Sequence, residues 1–473
     1  MTIDAVREVY ERCGQGHVFD LYDELSEDEK RALIEQLERI DIASLGKNVL
    51  QAIESSKNAK SVQHDDLLPI PASSSGSILD SESAEVDKWK QLGRQQIRAG
   101  KVAVIVMAGG QGTRLGSSAP KGCYDIGLFS HKSLFQLQAE RILKLQSLTG
   151  ATKPIPWYIM TSGPTHQPTI DFFAAHNYFG CSKDQVIFFS QGILPCFTET
   201  GRIILESPSK VAVAPDGNGG LYLGLVKSGV LDDMKRRGIE HVHTYAVDNC
   251  LVKIADPAFI GFAMSRKASI ASKVVRKRDA GESVGLILCK NNRPAVLEYS
   301  EISPELMQAT ESTANGAALR FRAANIVNHY YSMDFLSQIP SWDLNKYLPF
   351  HAAYKKIPYY SADAKSTIKP SEPNGYKLEQ FVFDVFPQVP LADFALFEVD
   401  RKDEFSPLKN ASGTKSDNPE TSRNDLLFQG ARWVKAAGGI PPEGGVEVAP
   451  LTSYEGEGLE FVQGKELLPF TIL

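Results

Sequence analysis

Val104-Ile105-Val106-Met107-Ala108-Gly109-Gly110-Gln111-Gly112-Thr113-Arg114-Leu115-Gly116, with Pro120-Lys121-Gly122 close behind, is where an apolar, β-branched run gives way to glycines and two cations. The run reads as a buried strand. Glycines without Cβ let backbone N–H groups close on an anion, and Arg114 and Lys121 add charge that amides lack. Such a loop suits a polyphosphate held at the carboxyl end of a parallel strand. A Walker loop is excluded, because Lys121 follows Pro120 and no Ser/Thr comes after it. The dinucleotide fingerprint is excluded as well: Gly110, Gly112 and Gly116 are spaced one residue too wide. The next helix is expected only near Ser133, where Leu134, Leu137, Ile142 and Leu145 share one face.

Outward from this loop, strands and helices alternate to about residue 395, which favours a doubly wound α/β sheet. Strands are expected at Val102–Met107, Trp157–Thr161, Gln185–Ser190 and His243–Val247. Gly285–Cys289 and Ala295–Tyr299 read as a more antiparallel part. Helices are expected at Ser133–Gln146 and Gly220–Leu225, and Leu378, Phe381, Val382, Val385 and Phe386 form a further helical stripe. The first sixty residues read as helical, with a capping box at Ser26-Glu27-Asp28-Glu29. Residues 71–77 read as a polar surface break, followed by a helix from Glu82 to Ala99 with Gly100 as its left-handed cap. After Ser406 the composition changes: a polar loop over Asn410–Arg423 is expected, then a helix over Asp425–Ala436, and short strands after Pro441-Pro442-Glu443-Gly444-Gly445. The expected division is an N-terminal helical segment (1–99), a central domain (100–400) and a small C-terminal α+β domain (401–473).

The formal charge of −6 is mild for 473 residues, and without a basic tract it argues against nucleic-acid binding. An anionic ligand must then be met by local cations. The six cysteines include no Cys-x-x-Cys pair and read as reduced thiols. No signal-peptide or bilayer-length apolar stretch is seen. A cytoplasmic protein without membrane association is expected.

Further short strings stand in order along the chain: Pro215-Asp216-Gly217-Asn218-Gly219-Gly220-Leu221-Tyr222, Val247-Asp248-Asn249, Glu298-Tyr299-Ser300-Glu301, Asn325-Ile326-Val327-Asn328-His329 and Ser406-Pro407-Leu408-Lys409-Asn410. With the first loop, this ordered set resembles the eukaryotic UDP-N-acetylglucosamine pyrophosphorylases from about residue 100 to 410. The resemblance implies a Rossmann-like, GT-A-like nucleotide-sugar pyrophosphorylase domain with a mixed sheet. It implies a uridylyltransferase that joins UTP and N-acetylglucosamine-1-phosphate into UDP-N-acetylglucosamine and pyrophosphate, with Mg²⁺ (or Mn²⁺) as cofactor and a monomer or weak homodimer as the acting form.

The resemblance places Arg114, Lys121 and Lys409 on the phosphates as catalytic residues. It places Met107, Gly109, Gly110, Gln191, Gly217 and Asp248 on the nucleotide, with Asp248 also on the metal. Asn218, Gly285, Glu298, Tyr299, Asn325, Phe381 and Phe383 fall on the sugar. By residue type alone, Gln191 and Lys409 are ordinary surface residues, Gly217 a turn and Asp248 a cap or loop carboxylate. A carboxylate where a parallel strand runs out is nevertheless well placed to hold Mg²⁺ between phosphates. Phe381 lies on the helical stripe and Phe383 off it, so Phe383 is expected to be the better ligand contact. Competing readings are a uridylyltransferase for another hexose-1-phosphate, a non-catalytic UDP-sugar-binding regulator and a glycosyltransferase. The last lacks its usual Asp-x-Asp in Val247-Asp248-Asn249-Cys250.

Overall fold

The computed structural model describes residues 2–58, 67–313 and 316–473. By its internal contacts the chain divides into two units, each interleaved in sequence. One comprises Met1–Gln63, Gln191–Leu223 and Ser341–Val385; the other comprises His64–Ser190, Gly224–Pro340 and Phe386–Leu473.

The larger unit carries the mixed sheet that the strand–helix alternation implies. Along its main path the order is Ser75–Ser77, Phe394–Val399, Ile270–Arg276, Ala323–Ser332, His241–Ala246, Val102–Met107, Trp157–Thr161 and Val186–Ser190. Neighbours are parallel throughout except at Ala323–Ser332, which is antiparallel to both of its partners. The hairpin Leu286–Lys290/Arg293–Leu297 branches off it, antiparallel as expected. Val102–Met107 is buried at every position because helices cover both faces of a parallel strand, so its sequence is continuously apolar rather than alternating. Helix Leu134–Thr149 starts on Ser133, whose side chain accepts the Gln136 N–H, and stops at Gly150 in the left-handed region. Helix Ser83–Arg98 lies within one residue of its expected limits.

The smaller unit packs helices Ile3–Arg12, Glu27–Glu38 and Ile42–Asn58 against two antiparallel pairs, Ile193–Pro195/Val213–Pro215 and His351–Lys355/Gly375–Glu379. Val6, Tyr10, Leu33, Leu37, Val49 and Ile53 form one core with Phe197, Val211, Tyr376 and Leu378. The capping box at Ser26 and Glu29 is formed. Residues 59 and 60 of the expected helical segment lie outside the described residues.

Four local expectations are corrected. Ser75–Ser77 is not surface coil but a sheet strand parallel to Phe394–Val399; any side chain at Gly76 would collide with the Phe262 ring. The apolar residues from Leu378 to Phe386 do not form a helix. Gly375–Glu379 is a strand, and a turn and a short 3₁₀ segment Phe386–Gln388 follow. Residues 437–473 hold no regular strand, only isolated bridges such as Ile440 with Glu466 and Glu447 with Ile472. Gly438, Gly445, Gly456, Gly458 and Gly464 all take positive φ there and break any run. Helix Pro419–Ala436 begins earlier than the polar composition suggested, on an Asn418 cap.

Candidate functional site

In the larger unit, Val102–Met107 and His241–Ala246 are parallel neighbours with Met107 opposite Ala246. The loops leaving both strands therefore start side by side. The first loop is closed on itself. Gln111 and Pro120 form an antiparallel bridge, the Gly112 N–H donates to Ala119 O (3.0 Å), and the Lys121 N–H donates to Gly110 O (3.1 Å). Ser162 Oγ donates to Gly109 O (2.6 Å), fixing that peptide from the neighbouring strand end. A Cβ at Gly110 would meet nothing within 4 Å, so this glycine leaves open space above the backbone. Met107 itself is buried in the sheet.

Lys121 turns back under the loop. Its Nζ stands 3.6 Å from Asp248 Oδ2 and donates to Leu408 O (3.2 Å), with both charged side chains about four-fifths buried (18% and 20% exposed). Arg114, on the 3₁₀ turn Thr113–Leu115, is exposed and makes no ion pair among the described residues. Asp248 is held through its backbone: its carbonyl accepts the Leu408 N–H (2.9 Å), and the Cys250 N–H donates to Ser406 O (2.9 Å). Asn249 ties the same two segments, accepting the Ser406 N–H (3.0 Å) and donating to Glu404 O (2.7 Å). The Glu404 carboxylate and Asp256 clasp the fully buried Lys273. This anchoring carries Lys409, which is exposed, to within one residue of the Lys121 and Asp248 contacts. Burial pushes the Cys123 and Cys250 thiols up to about 12, so neither offers a thiolate at neutral pH.

Gly285, Glu298 and Asn325 also converge in this unit. The Asn325 N–H donates to Gly285 O (2.8 Å), and a Cβ on Gly285 would lie 3.1 Å from Glu298 Oε1. Asn325 Oδ1 accepts the Val327 N–H (3.0 Å), which leaves its amide nitrogen as the donor for a ligand. Val327 has φ of +53°, an outlier for a β-branched residue, and the register slips between Ser272 and Val274 alongside it. Tyr299 is half exposed (50%) on a 3₁₀ turn.

In the smaller unit, Gln191, Asp216, Gly217, Asn218, Phe381 and Phe383 are brought together. Gln191 is buried, and its Nε2 donates to Asp216 Oδ1 (3.2 Å) and Gly217 O (3.1 Å). With both donors directed inward, Gln191 presents its carbonyl oxygen as an acceptor. Gly217 has φ of +86°, and a Cβ there would collide with Gln380. Asp216 is buried between Gly192 and Gly220, where side chains would strike its carboxylate. Asn218 Oδ1 accepts the Val382 N–H (2.9 Å), which orients its amide nitrogen outward from the turn. Phe381 and Phe383 stack at 5.1 Å, and His351 lies 4.5 Å from Phe381. The helical stripe that ranked Phe383 above Phe381 does not exist, since a strand and a turn occupy that stretch. Phe383 is buried (8% exposed) whereas Phe381 is half-buried. Ser162, Asp216 and Asn249 do positioning work that the sequence does not mark, beyond the places of Ser162 and Asp216 directly after strands and of Asn249 three residues past Ala246.

Among the described residues no group of three or more His, Cys, Asp or Glu side chains could enclose a metal, and no helix is long and apolar enough to cross a membrane. Residues 45–436 match the family model for UTP–glucose-1-phosphate uridylyltransferase. The chain is 48% identical to the UDP-N-acetylglucosamine pyrophosphorylase of Saccharomyces cerevisiae, covering 97% of both chains. It is 44% identical to the UDP-N-acetylhexosamine pyrophosphorylase-like protein 1 of Xenopus tropicalis, over 97% of this chain and 94% of that one. Its structure superposes on the inhibitor-bound uridine diphosphate N-acetylglucosamine pyrophosphorylase of Trypanosoma brucei with a TM-score of 0.81 at 30% identity, covering 97% and 94% of the two chains. A mixed sheet with its glycine loop, Lys121 and Asp248 at adjacent strand ends, and a family match over most of its length lead to one assignment: the chain belongs to the UTP–glucose-1-phosphate uridylyltransferase family.

Proposed function

We propose that this chain is the uridylyltransferase that makes UDP-N-acetylglucosamine and pyrophosphate from UTP and N-acetylglucosamine-1-phosphate. The observation that carries the reading is the Lys121–Asp248 pair, set beside a closed glycine loop at the carboxyl ends of two parallel strands.

The sugar phosphate is already an anion at neutral pH, so its oxygen attacks the α-phosphorus of UTP without a general base. Pyrophosphate leaves on the opposite side. The barrier is electrostatic, and positioned charge supplies most of the acceleration. Arg114 and Lys121 stabilise the pentavalent α-phosphoryl and the departing pyrophosphate, and Lys409 balances the sugar phosphate. In the smaller unit, Gln191 offers its carbonyl oxygen to the N3–H of uracil beside the Gly217 turn. In the larger unit, the backbone at Gly109 and Gly110, after Met107, leaves open space for the nucleotide. In the larger unit, Glu298 and Asn325 beside Gly285 and Tyr299 suit sugar hydroxyls. In the smaller unit, Asn218 and the half-buried Phe381, backed by the Phe383 ring, suit an N-acetyl group.

A single carboxylate fits a Mg²⁺ or Mn²⁺ ion that arrives with the triphosphate and keeps water and phosphate oxygens as its other ligands. Asp248 would hold that ion, which when bound would neutralise phosphate charge. The test is pyrophosphate release by purified protein with UTP, Mg²⁺ and a panel of sugar-1-phosphates. Fast release with N-acetylglucosamine-1-phosphate and little with glucose-1-phosphate is expected. Nucleotide-sugar binding without release from any donor would overturn the reading.

A further inference from the structure

Helix Leu134–Thr149 places polar residues at two positions where its 3.6-residue period calls for apolar ones, Gln138 and Arg141. Both are buried, at 1% and 8% exposure. They lie three residues apart and so share a face. Gln138 Nε2 donates to Val247 O (3.1 Å), while its Oε1 accepts from Tyr245 Oη (3.3 Å), so the amide can point only one way. Arg141 donates through Nη2 to Cys250 O (2.8 Å) and through Nη1 to Val252 O (3.3 Å). The carbonyls taken by these two side chains therefore bracket Asp248 on both sides.

Arg141 pairs with no carboxylate among the described residues, and burial lowers its pKa. Removing an unpaired cation from water is costly. If packing were its purpose, a leucine would serve better, but it would leave the Cys250 and Val252 carbonyls without donors. A guanidinium is suited to two carbonyls because its N–H groups diverge at fixed angles from one rigid plane. Cys250, whose carbonyl it grips, also donates its own N–H to Ser406 O, and Asp248 O accepts from Leu408. The clamp therefore reaches the segment that carries Lys409.

We propose that Gln138 and Arg141 are positioning residues that aim the Asp248 carboxylate, and through it the metal-bearing triphosphate, from behind the sheet. The proposal rests on the assignment of Asp248 made above. Residues that orient a ligand-bearing group from behind typically change affinity or rate by about 10- to 100-fold.

The experiment compares full-length Gln138→Met, Arg141→Lys, Arg141→Met and Asp248→Asn proteins. Steady-state rates, melting temperatures and calorimetric UTP affinity with and without Mg²⁺ are measured. Arg141→Lys and Gln138→Met should lower kcat by about 10-fold or more while KM for the sugar phosphate stays within about threefold. They should also remove most of the tightening of UTP binding by Mg²⁺. An unchanged kcat and unchanged Mg²⁺ effect in a protein that merely melts earlier would overturn the proposal and leave the clamp a structural one. Gln138→Met, which deletes the hydrogen bonds to Val247 O and from Tyr245 Oη while keeping the side chain's length, decides the matter if the Arg141 variants do not fold. Should Asp248→Asn itself leave rate and Mg²⁺ effect intact, the assignment of Asp248 fails and the proposal falls with it. Loss in Asp248→Asn but not in the clamp variants overturns the proposal alone.

Discussion

Lys121 Nζ and Asp248 Oδ2 stand 3.6 Å apart because Met107 and Ala246 are register partners on neighbouring parallel strands. Lys121 and Asp248 neutralise each other, and in the proposed reaction the substrate phosphates would enter that balance. Lys121→Met should therefore lower kcat about 100-fold. Combining it with Asp248→Asn should cost less than the sum of the two single changes. A double-mutant cycle on kcat/KM checks this, and strict additivity would mean that the two side chains act independently.

Arg114 is exposed and makes no ion pair among the described residues, so its removal leaves the fold alone. Arg114→Ala should raise the barrier by about 3 kcal/mol, roughly a hundredfold in rate. The melting temperature and uridine affinity should stay near those of the parent. Single-turnover rates beside UDP affinities separate the two effects, and equal losses in both would remove Arg114 from the reacting phosphates.

Two glycines offer opposite outcomes. Gly110→Ala adds a methyl to open space, so stability should hold while nucleotide affinity falls. Gly217→Ala puts a Cβ into Gln380 at positive φ and should destabilise the protein by about 3 kcal/mol. Chemical denaturation paired with UTP titration distinguishes a steric role toward ligand from one toward the protein's own backbone.

The two stacked phenylalanines should divide in the same manner. Phe383→Ala, at the buried ring, should cost about 3 kcal/mol of stability. Phe381→Ala should instead reduce the preference for N-acetylglucosamine-1-phosphate over glucose-1-phosphate. The ratio of kcat/KM for the two donors is the readout, and an unchanged ratio would return Phe381 to the core.

Acid should destabilise the sheet before carboxylates titrate. Burial, helped by the Lys273 charge, pushes His243 from 6.5 down to about 4, and burial beside His243 pushes His329 down to about 3. His243 is neutral by geometry as well, since Nδ1 accepts the Ala255 N–H (2.8 Å) and Nε2 donates to Asn328 (2.6 Å). The unfolded chain therefore binds protons first. The stability these neutral rings confer is complete above pH 6.5 and is lost as pH falls toward 4, by up to about 1.4 kcal/mol per pH unit for each ring. Urea unfolding at pH 7, 6 and 5 measures the slope. A flat profile would mean that the rings are protonated in the folded state.

The sequence alone determined the elements and the chemistry of the loop. An unbroken apolar run followed by glycines specifies a buried parallel strand with a glycine-rich exit, and Ser26, Ser133 and Gly100 specify helix ends through contacts within a few residues. Such signals are local, so they survive without knowledge of the partners. Which side chains meet was decided by tertiary structure. The Lys121–Asp248 pair depends on strand register, and the inward turn of Gln191 depends on Asp216. The burial of Phe383 depends on a turn where periodicity suggested a helix. Ser75–Ser77 became a strand because Phe394–Val399 offered it an unpaired edge, while Val327 entered the left-handed region where the register beside it slips. In each case a backbone group or charge is satisfied by a residue far along the chain, and no spacing rule within one segment can specify that.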